Sequence, residues 1–157
     1  MRRSVFLLLA VLACSCDSSR VYEKNHDFDE RVWLVSDRPV FEFAVPDTLK
    51  AYNLYCNIRN SVKYPYSRIF INYTLQDSAG TSVSKKLISA FLFEEKTGKP
   101  LGSSGLGDVY DQQVLLLKNY RFSSPGSHRM QFEQFMRTDT LAGVHAVGFR
   151  LEASANE

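Results

Sequence analysis

Two cysteines stand where their thiols would be acylated. Cys14 and Cys16 close the stretch MRRSVFLLLAVLACSCD at residues 1–17. Arg2 and Arg3 give it a basic start, Val5 to Ala13 is an uncharged apolar run, and small residues follow. That is the layout of a secretory signal peptide. The run is shorter than the about 20 residues that a membrane-spanning helix needs. A cysteine at the cleavage position makes it a bacterial lipoprotein signal. The thiol receives fatty acyl chains of the palmitate class, the signal is cut just before it, and the new amino group is acylated in turn. Two or more chains hold a protein durably on a membrane, since each buried methylene contributes about 0.8 kcal/mol. Cys14 has the better upstream context, Val11-Leu12-Ala13, and Cys16 the better downstream one, Asp17-Ser18-Ser19. On the residues alone both stay open.

The third cysteine, Cys56, alternates with Leu54 and Ile58 and reads as a buried, small apolar side chain. Three cysteines make no disulfide framework, and a Cys16–Cys56 bridge is conceivable only if Cys14 carries the lipid. Catalytic signatures are missing. His26, His128 and His145 lie far apart, with no HExxH, CxxC or GxSxG around them. Gly102, Gly105 and Gly107 have the wrong spacing for a phosphate loop and read as a tight loop needing positive φ. Asp108 and Asp111 beside those glycines could bind calcium, but a carboxylate-capped turn explains them better. No metal and no cofactor beyond the covalent lipid is expected. Trp33, Tyr64, Tyr66 and Tyr110 could stack on sugars, pack against a protein or fill a core. Tyr64 and Tyr66 flank a proline, so an exposed position is expected for both. Gln134 points inward by alternation with Met130 and Phe132, and Arg59 or the Asp108–Asp111 turn is expected to satisfy its amide.

These residues need a frame to hold them. The chain has 157 residues, one domain's worth. Its formal net charge of +2 disappears once Arg2 and Arg3 leave with the signal. A balanced domain gives no electrostatic reason to bind nucleic acid. Aromatics are abundant, with 11 Phe and 8 Tyr, which favours strands. Apolar residues recur with period two in several segments, the mark of half-buried antiparallel strands. The expected strands are 31–35, 40–45, 53–60, 68–75, 84–93, 128–135 and 144–152. Residues 109–120 form a strand or short helix, because Leu115-Leu116-Leu117 leaves the period undecided. Residues 96–108 carry four glycines and a proline and are expected to be irregular. Roughly eight strands with regular turn signals predict an all-β protein, an antiparallel β-sandwich of jelly-roll type, with a small β-barrel as the alternative. The expected organisation is a signal at 1–15, a flexible lipid-anchored tether at 16–29, a single sandwich domain at 30–153 and a polar tail at 154–157.

Several segments together resemble one family. Cys16-Asp17-Ser18-Ser19-Arg20-Val21-Tyr22, Phe28 with Trp33, Tyr52-Asn53-Leu54, Ile58-Arg59-Asn60-Ser61, and Tyr64-Pro65-Tyr66 are similar to the GldH gliding-motility lipoproteins. So are Gly102 with Gly105 through Asp111, Glu133 through Arg137, and Leu141 through Val144. The order and spacing of the pieces carry the likeness across almost the whole mature chain. Arg68 departs from it, since the family tends to have Asn there. The resemblance implies a mature chain that begins at Cys16. It also implies a lipid-anchored accessory of the gliding apparatus, tied to the type IX secretion system, on the outer membrane and facing the periplasm. It transfers no enzyme activity.

The expectation is therefore a non-enzymatic lipoprotein that binds other envelope proteins. Its candidate surface comprises Tyr64, Tyr66, Asp108, Tyr110, Asp111 and Arg137, carried by loops at one end of the sandwich. The alternative is an envelope glycan-binding module in which the same tyrosines stack on sugar rings. A hydrolase would need two carboxylates converging in a groove, and nothing in the spacing asks for that.

Overall fold

The computed structural model describes residues 19–105 and 107–154. The signal peptide and both candidate lipid cysteines lie outside the described residues. The alternating segments all become strands, and β1, β7 and β10 join them: β1 (Arg20–Asp27), β2 (Val32–Leu34), β3 (Val40–Val45), β4 (Tyr52–Ser61), β5 (Arg68–Gln76), β6 (Ser82–Phe91), β7 (Ser103–Ser104), β8 (Val109–Tyr120), β9 (Gly126–Gln134), β10 (Thr140–Ala142) and β11 (Val144–Ala153). Strands pair antiparallel throughout, in two main sheets of order β1-β11-β4-β8-β7 and β3-β9-β5-β6, with a small β2–β10 pair at one end. The sheets face one another without closing into a barrel, so the sandwich holds and the barrel alternative falls away.

The core follows from the pleat. Leu54, Cys56, Ile58, Val147, Phe149 and Leu151 point in from one sheet, and Phe41, Phe43, Ile71, Tyr73, Met130 and Phe132 from the other. Phe43 meets Phe149 across the interface at a centroid distance of 4.8 Å. Each such side chain contributes about 1.5–3 kcal/mol by leaving water. Cys56 is fully buried, and that burial pushes its thiol well above the ordinary range. Trp33 is buried too, with its indole N–H donating to the Asp37 carbonyl at 2.8 Å. It is a core residue, not a stacking platform.

The tether expected at 16–29 is corrected from Arg20 onward. Arg20–Asp27 is the edge strand β1 on β11, and Phe28 is buried against Trp33, their rings stacked at 5.0 Å. The strand was hidden because of its three inward positions only Tyr22 is apolar; Lys24 and His26 take the others. The strand-or-helix ambiguity at 109–120 resolves as strand, with register shifts against β4 at Tyr52, Leu54 and Tyr55 that break the period around the three leucines.

Connections collect at two opposite ends. The loops 46–51, 77–81 and 121–125 lie at one end, beside Ser19, whose carbonyl accepts from the Ala153 N–H at 2.7 Å. The loops 62–67, 92–102 and 135–139 lie at the other, together with β7 and the β2–β10 pair.

Candidate functional site

All six residues of the expected surface sit at the end away from Ser19, but the structure splits them. Tyr64 is only 4% exposed, which corrects the expectation that both tyrosines face solvent. Its hydroxyl donates to the Arg68 carbonyl at 3.0 Å, and its ring lies parallel to Phe93 at 6.4 Å. Burial pushes that hydroxyl well above the usual tyrosine range. Gly143 makes the seat possible: a Cβ there would come within 2.6 Å of the Tyr64 nitrogen, and its φ of +82° suits only glycine without strain. Tyr64 thus anchors the loop from beneath, while Tyr66 packs edge-on against it at 5.8 Å and remains 45% exposed.

Tyr66 and Arg137 share a depression of about 620 Å³ with Phe70, Leu87, Phe135 and Met136. It lies at the corner of the β5–β6–β9 outer face. Two hydrogen bonds set its rim. The buried Gln134 side chain donates to the Thr138 carbonyl and accepts from the Met136 N–H, each at 2.9 Å. The amide therefore clamps its own turn, correcting the partners expected in Arg59 or the Asp108–Asp111 turn. The clamp leaves Phe135 57% exposed, and the Phe135 N–H donates to the Phe70 carbonyl at 2.9 Å. Nearby, the Arg68 guanidinium sits over the Phe91 ring at 3.9 Å, a cation–π contact that holds the strand edge.

Asp111 belongs to the other outer face. Arg59 grips it with two hydrogen bonds, Nε to Oδ1 at 2.7 Å and Nη2 to Oδ2 at 3.2 Å. That hydrogen bond holds the guanidinium proton more tightly still. The pair borders a polar trough of about 350 Å³ lined also by Glu23, Asn25, Asn57, Gln113 and Ala146. Ala146 and Gly148 form a low floor on β11, between β1 and β4; a Cβ on Gly148 would meet Asn25 Oδ1 at 1.9 Å. Asn57 donates to Glu23 at 2.9 Å and accepts from Gln113 at 3.2 Å, so the trough is hydrogen-bonded across three strands. Asp108 is exposed, and its carbonyl accepts from the Val62 N–H at 3.0 Å, tying the glycine loop to the tyrosine loop. Tyr110 is half-buried between Asn60 and Ser104 in register. Positive φ at Gly102 and Gly107 bears out the tight-loop reading for those two, while Gly105 does not adopt it. Among the described residues, no group of three or more His, Cys, Asp or Glu could hold a metal.

The comparisons now have a structure to attach to. The family model of the GldH lipoproteins matches residues 20–151, nearly the whole of both sheets. The chain belongs to the GldH lipoprotein family. A gliding motility lipoprotein GldH homolog of Christiangramia forsetii is 31% identical over 97% of this chain and 95% of that relative. The gliding motility lipoprotein GldH of Flavobacterium johnsoniae is 25% identical over 94% of each. Among solved structures, a chain of infectious bursal disease virus aligns with a TM-score of 0.45 at 12% identity, covering 88% of this chain and 34% of that one, too weak a likeness to argue from. The match with GldH proteins spans β1 through β11, so the two faces just described are part of what the family model covers.

Sequence reasoning passed over Phe70, Leu87, Phe135 and Met136. The signal for Phe135 was present: alternation that turns Phe132 and Gln134 inward turns Phe135 out. The same holds for Phe70 between the buried Ile69 and Ile71.

Proposed function

We propose that this protein is a lipid-anchored, non-catalytic accessory of a gliding-motility apparatus linked to type IX secretion, on the outer membrane and facing the periplasm, and that it works by holding another envelope protein. Membership in the GldH lipoproteins supports the anchor and the motility setting, and we take Cys16 as the acylated residue. The observation that carries the binding role is the apolar corner of Tyr66, Phe70, Leu87, Phe135, Met136 and Arg137. Exposed large apolar side chains grouped in a concavity mark an interaction surface, and a cation at the rim adds direction. Of the surface expected from sequence, Tyr66 and Arg137 are retained here. A photo-crosslinking residue at Phe135 in intact cells is expected to capture a motility or secretion component, while the same residue at Gln113 captures none. Equal capture from both positions would remove the corner as the docking site.

The glycan-binding alternative loses its tyrosine platform, because Tyr64 is buried. What favours it is the trough, whose amides and carboxylates match sugar hydroxyls. Retention of the protein on purified envelope polysaccharide, lost in Asn57→Ala with Gln113→Ala, would support that reading; no retention would end it.

A further inference from the structure

The end of the sandwich beside Ser19 carries its own surface. Ser19 bonds to Ala153, and the next residue, Ser154, donates to the Ala51 carbonyl at 2.8 Å. The 46–51 loop therefore stands directly beside the point where the described chain begins. At the tip of that loop Leu49 is 83% exposed, the most exposed large apolar side chain among the described residues. Arg121 reaches across from the neighbouring loop and donates to the Leu49 carbonyl, fixing the tip. Lys50 and Lys118 are exposed around it. The carboxylates at this end keep their charge and are engaged in contacts of their own. Asp47 accepts from the Leu49 N–H at 2.9 Å, Asp77 accepts from Ala79 and Thr81 in its own turn, and Glu152 pairs with Arg150.

We propose that this end, with Leu49 at its tip and Lys50, Lys118 and Arg121 around it, rests on an anionic phospholipid surface, so that the domain stands upright with the apolar corner held away from the membrane. The inference rests on the lipid-anchored reading. Three residue steps separate Cys16 from Ser19, a reach of about 10 Å at full extension; from Cys14 it is about 18 Å. The short tether lets the exposed cations come within a Debye length of the headgroups, about 8 Å at physiological ionic strength, where they are attracted to anionic lipid. An exposed leucine among cations is the composition of a side chain that enters the interface. β11, with 10 residues, runs the length of the sandwich and sets the far end about 30 Å away. A partner bound there meets the domain in the aqueous space, beyond the screening distance.

The test uses the full-length lipidated protein in vesicles of phosphatidylglycerol and phosphatidylcholine. A fluorophore is placed on Leu49→Cys or, at the far end, on Ser104→Cys; buried Cys56 with its raised thiol stays unlabelled. Lipids spin-labelled near the headgroup should quench the Leu49→Cys probe several-fold more than the Ser104→Cys probe. Lys50→Glu with Lys118→Glu, or vesicles of phosphatidylcholine alone, should narrow that difference. Equal quenching of the two probes on a chain whose mass proves it lipidated overturns the orientation. A mature chain without lipid overturns the anchoring reading and the inference with it. Quenching that survives both the charge reversal and the neutral vesicles overturns the requirement for anionic lipid.

Discussion

The two outer faces of this sandwich are built on the same pleat and spend their side chains differently. On the five-stranded sheet the outward residues answer one another: Arg59 with Asp111, Arg150 with Glu23, Asn57 with both Glu23 and Gln113. On the four-stranded sheet such pairs among the described residues lie toward β3, as Arg129–Glu42 and, at its end, Arg38–Glu133. Toward β5 and β6 they give way to Phe70, Leu87 and Phe135. A ligand entering the trough must trade existing hydrogen bonds for its own, an exchange worth only about 0.5–1.5 kcal/mol per bond. A partner covering the apolar corner gains about 25 cal/mol for each Å² withdrawn from water and breaks nothing. The difference teaches where binding energy is still unspent, and it is at the corner.

The corner depends on loops held by two unusual positions, and breaking them gives the largest effects. Gly143→Ala forces a Cβ against the Tyr64 backbone at positive φ, and a loss of about 3 kcal/mol is expected from strain of this kind. Chemical unfolding should show the midpoint fall; an unchanged midpoint would mean the Tyr64 seat is softer than its geometry. Gln134→Leu leaves the Met136 N–H and the Thr138 carbonyl without partners, at about 2 kcal/mol. Its partner capture should weaken beyond what stability alone explains, because the turn that presents Phe135 is released. Phe135→Ala separates the two effects. Stability should stay within about 0.5 kcal/mol, as for other exposed positions, while capture of the crosslinked partner falls at least about tenfold, the scale of a binding hot spot. Arg59→Ala, on the opposite face, should change stability by less than about 1 kcal/mol, since the pair is solvent-exposed, and should leave capture intact. If Arg59→Ala abolished capture and Phe135→Ala did not, the roles of the two faces would be exchanged.

Period two made the sandwich legible before any coordinates: Leu54, Cys56 and Ile58, or Ile69, Ile71, Tyr73 and Leu75, declare strands with one buried face. The same rule hid β1, because an edge strand over a polar face needs only Tyr22 to bury. β7 and β10, at two and three residues, are too short to carry a period and exist only because β8 and β2 pair with them. The candidate surface was half legible. A proline between two tyrosines signalled a loop, but nothing local says that Gly143, almost eighty residues later, opens the space that takes Tyr64 inside. Asp111 stood next to Tyr110 in sequence, yet alternation puts neighbours on opposite faces, and its partner Arg59 comes from another strand. Phe135 and Phe70 were readable by that same alternation.

Among the described residues two buried side-chain atoms have no hydrogen-bond partner, Asn60 Oδ1 and His145 Nε2, and the histidine offers the smallest and most specific test. His145 lies beside Arg59 and Asp111 in a second depression, and its Nε2 is buried with no hydrogen-bond partner. Burial, with Arg31 and Arg59 adding repulsion, lowers the proton affinity of its ring below the ordinary histidine value of 6.5. The unfolded chain therefore takes up a proton near pH 6.5 that the folded chain resists. Stability from this group is complete above that pH and is lost as the pH falls through the window below it. His145→Gln removes the titration and keeps a polar side chain of similar reach. Between about pH 7 and about pH 5 the variant should lose less stability than the parent. A steeper loss in the variant would show that the ring is charged in the fold, drawn up by Asp111 more strongly than the two arginines push it down.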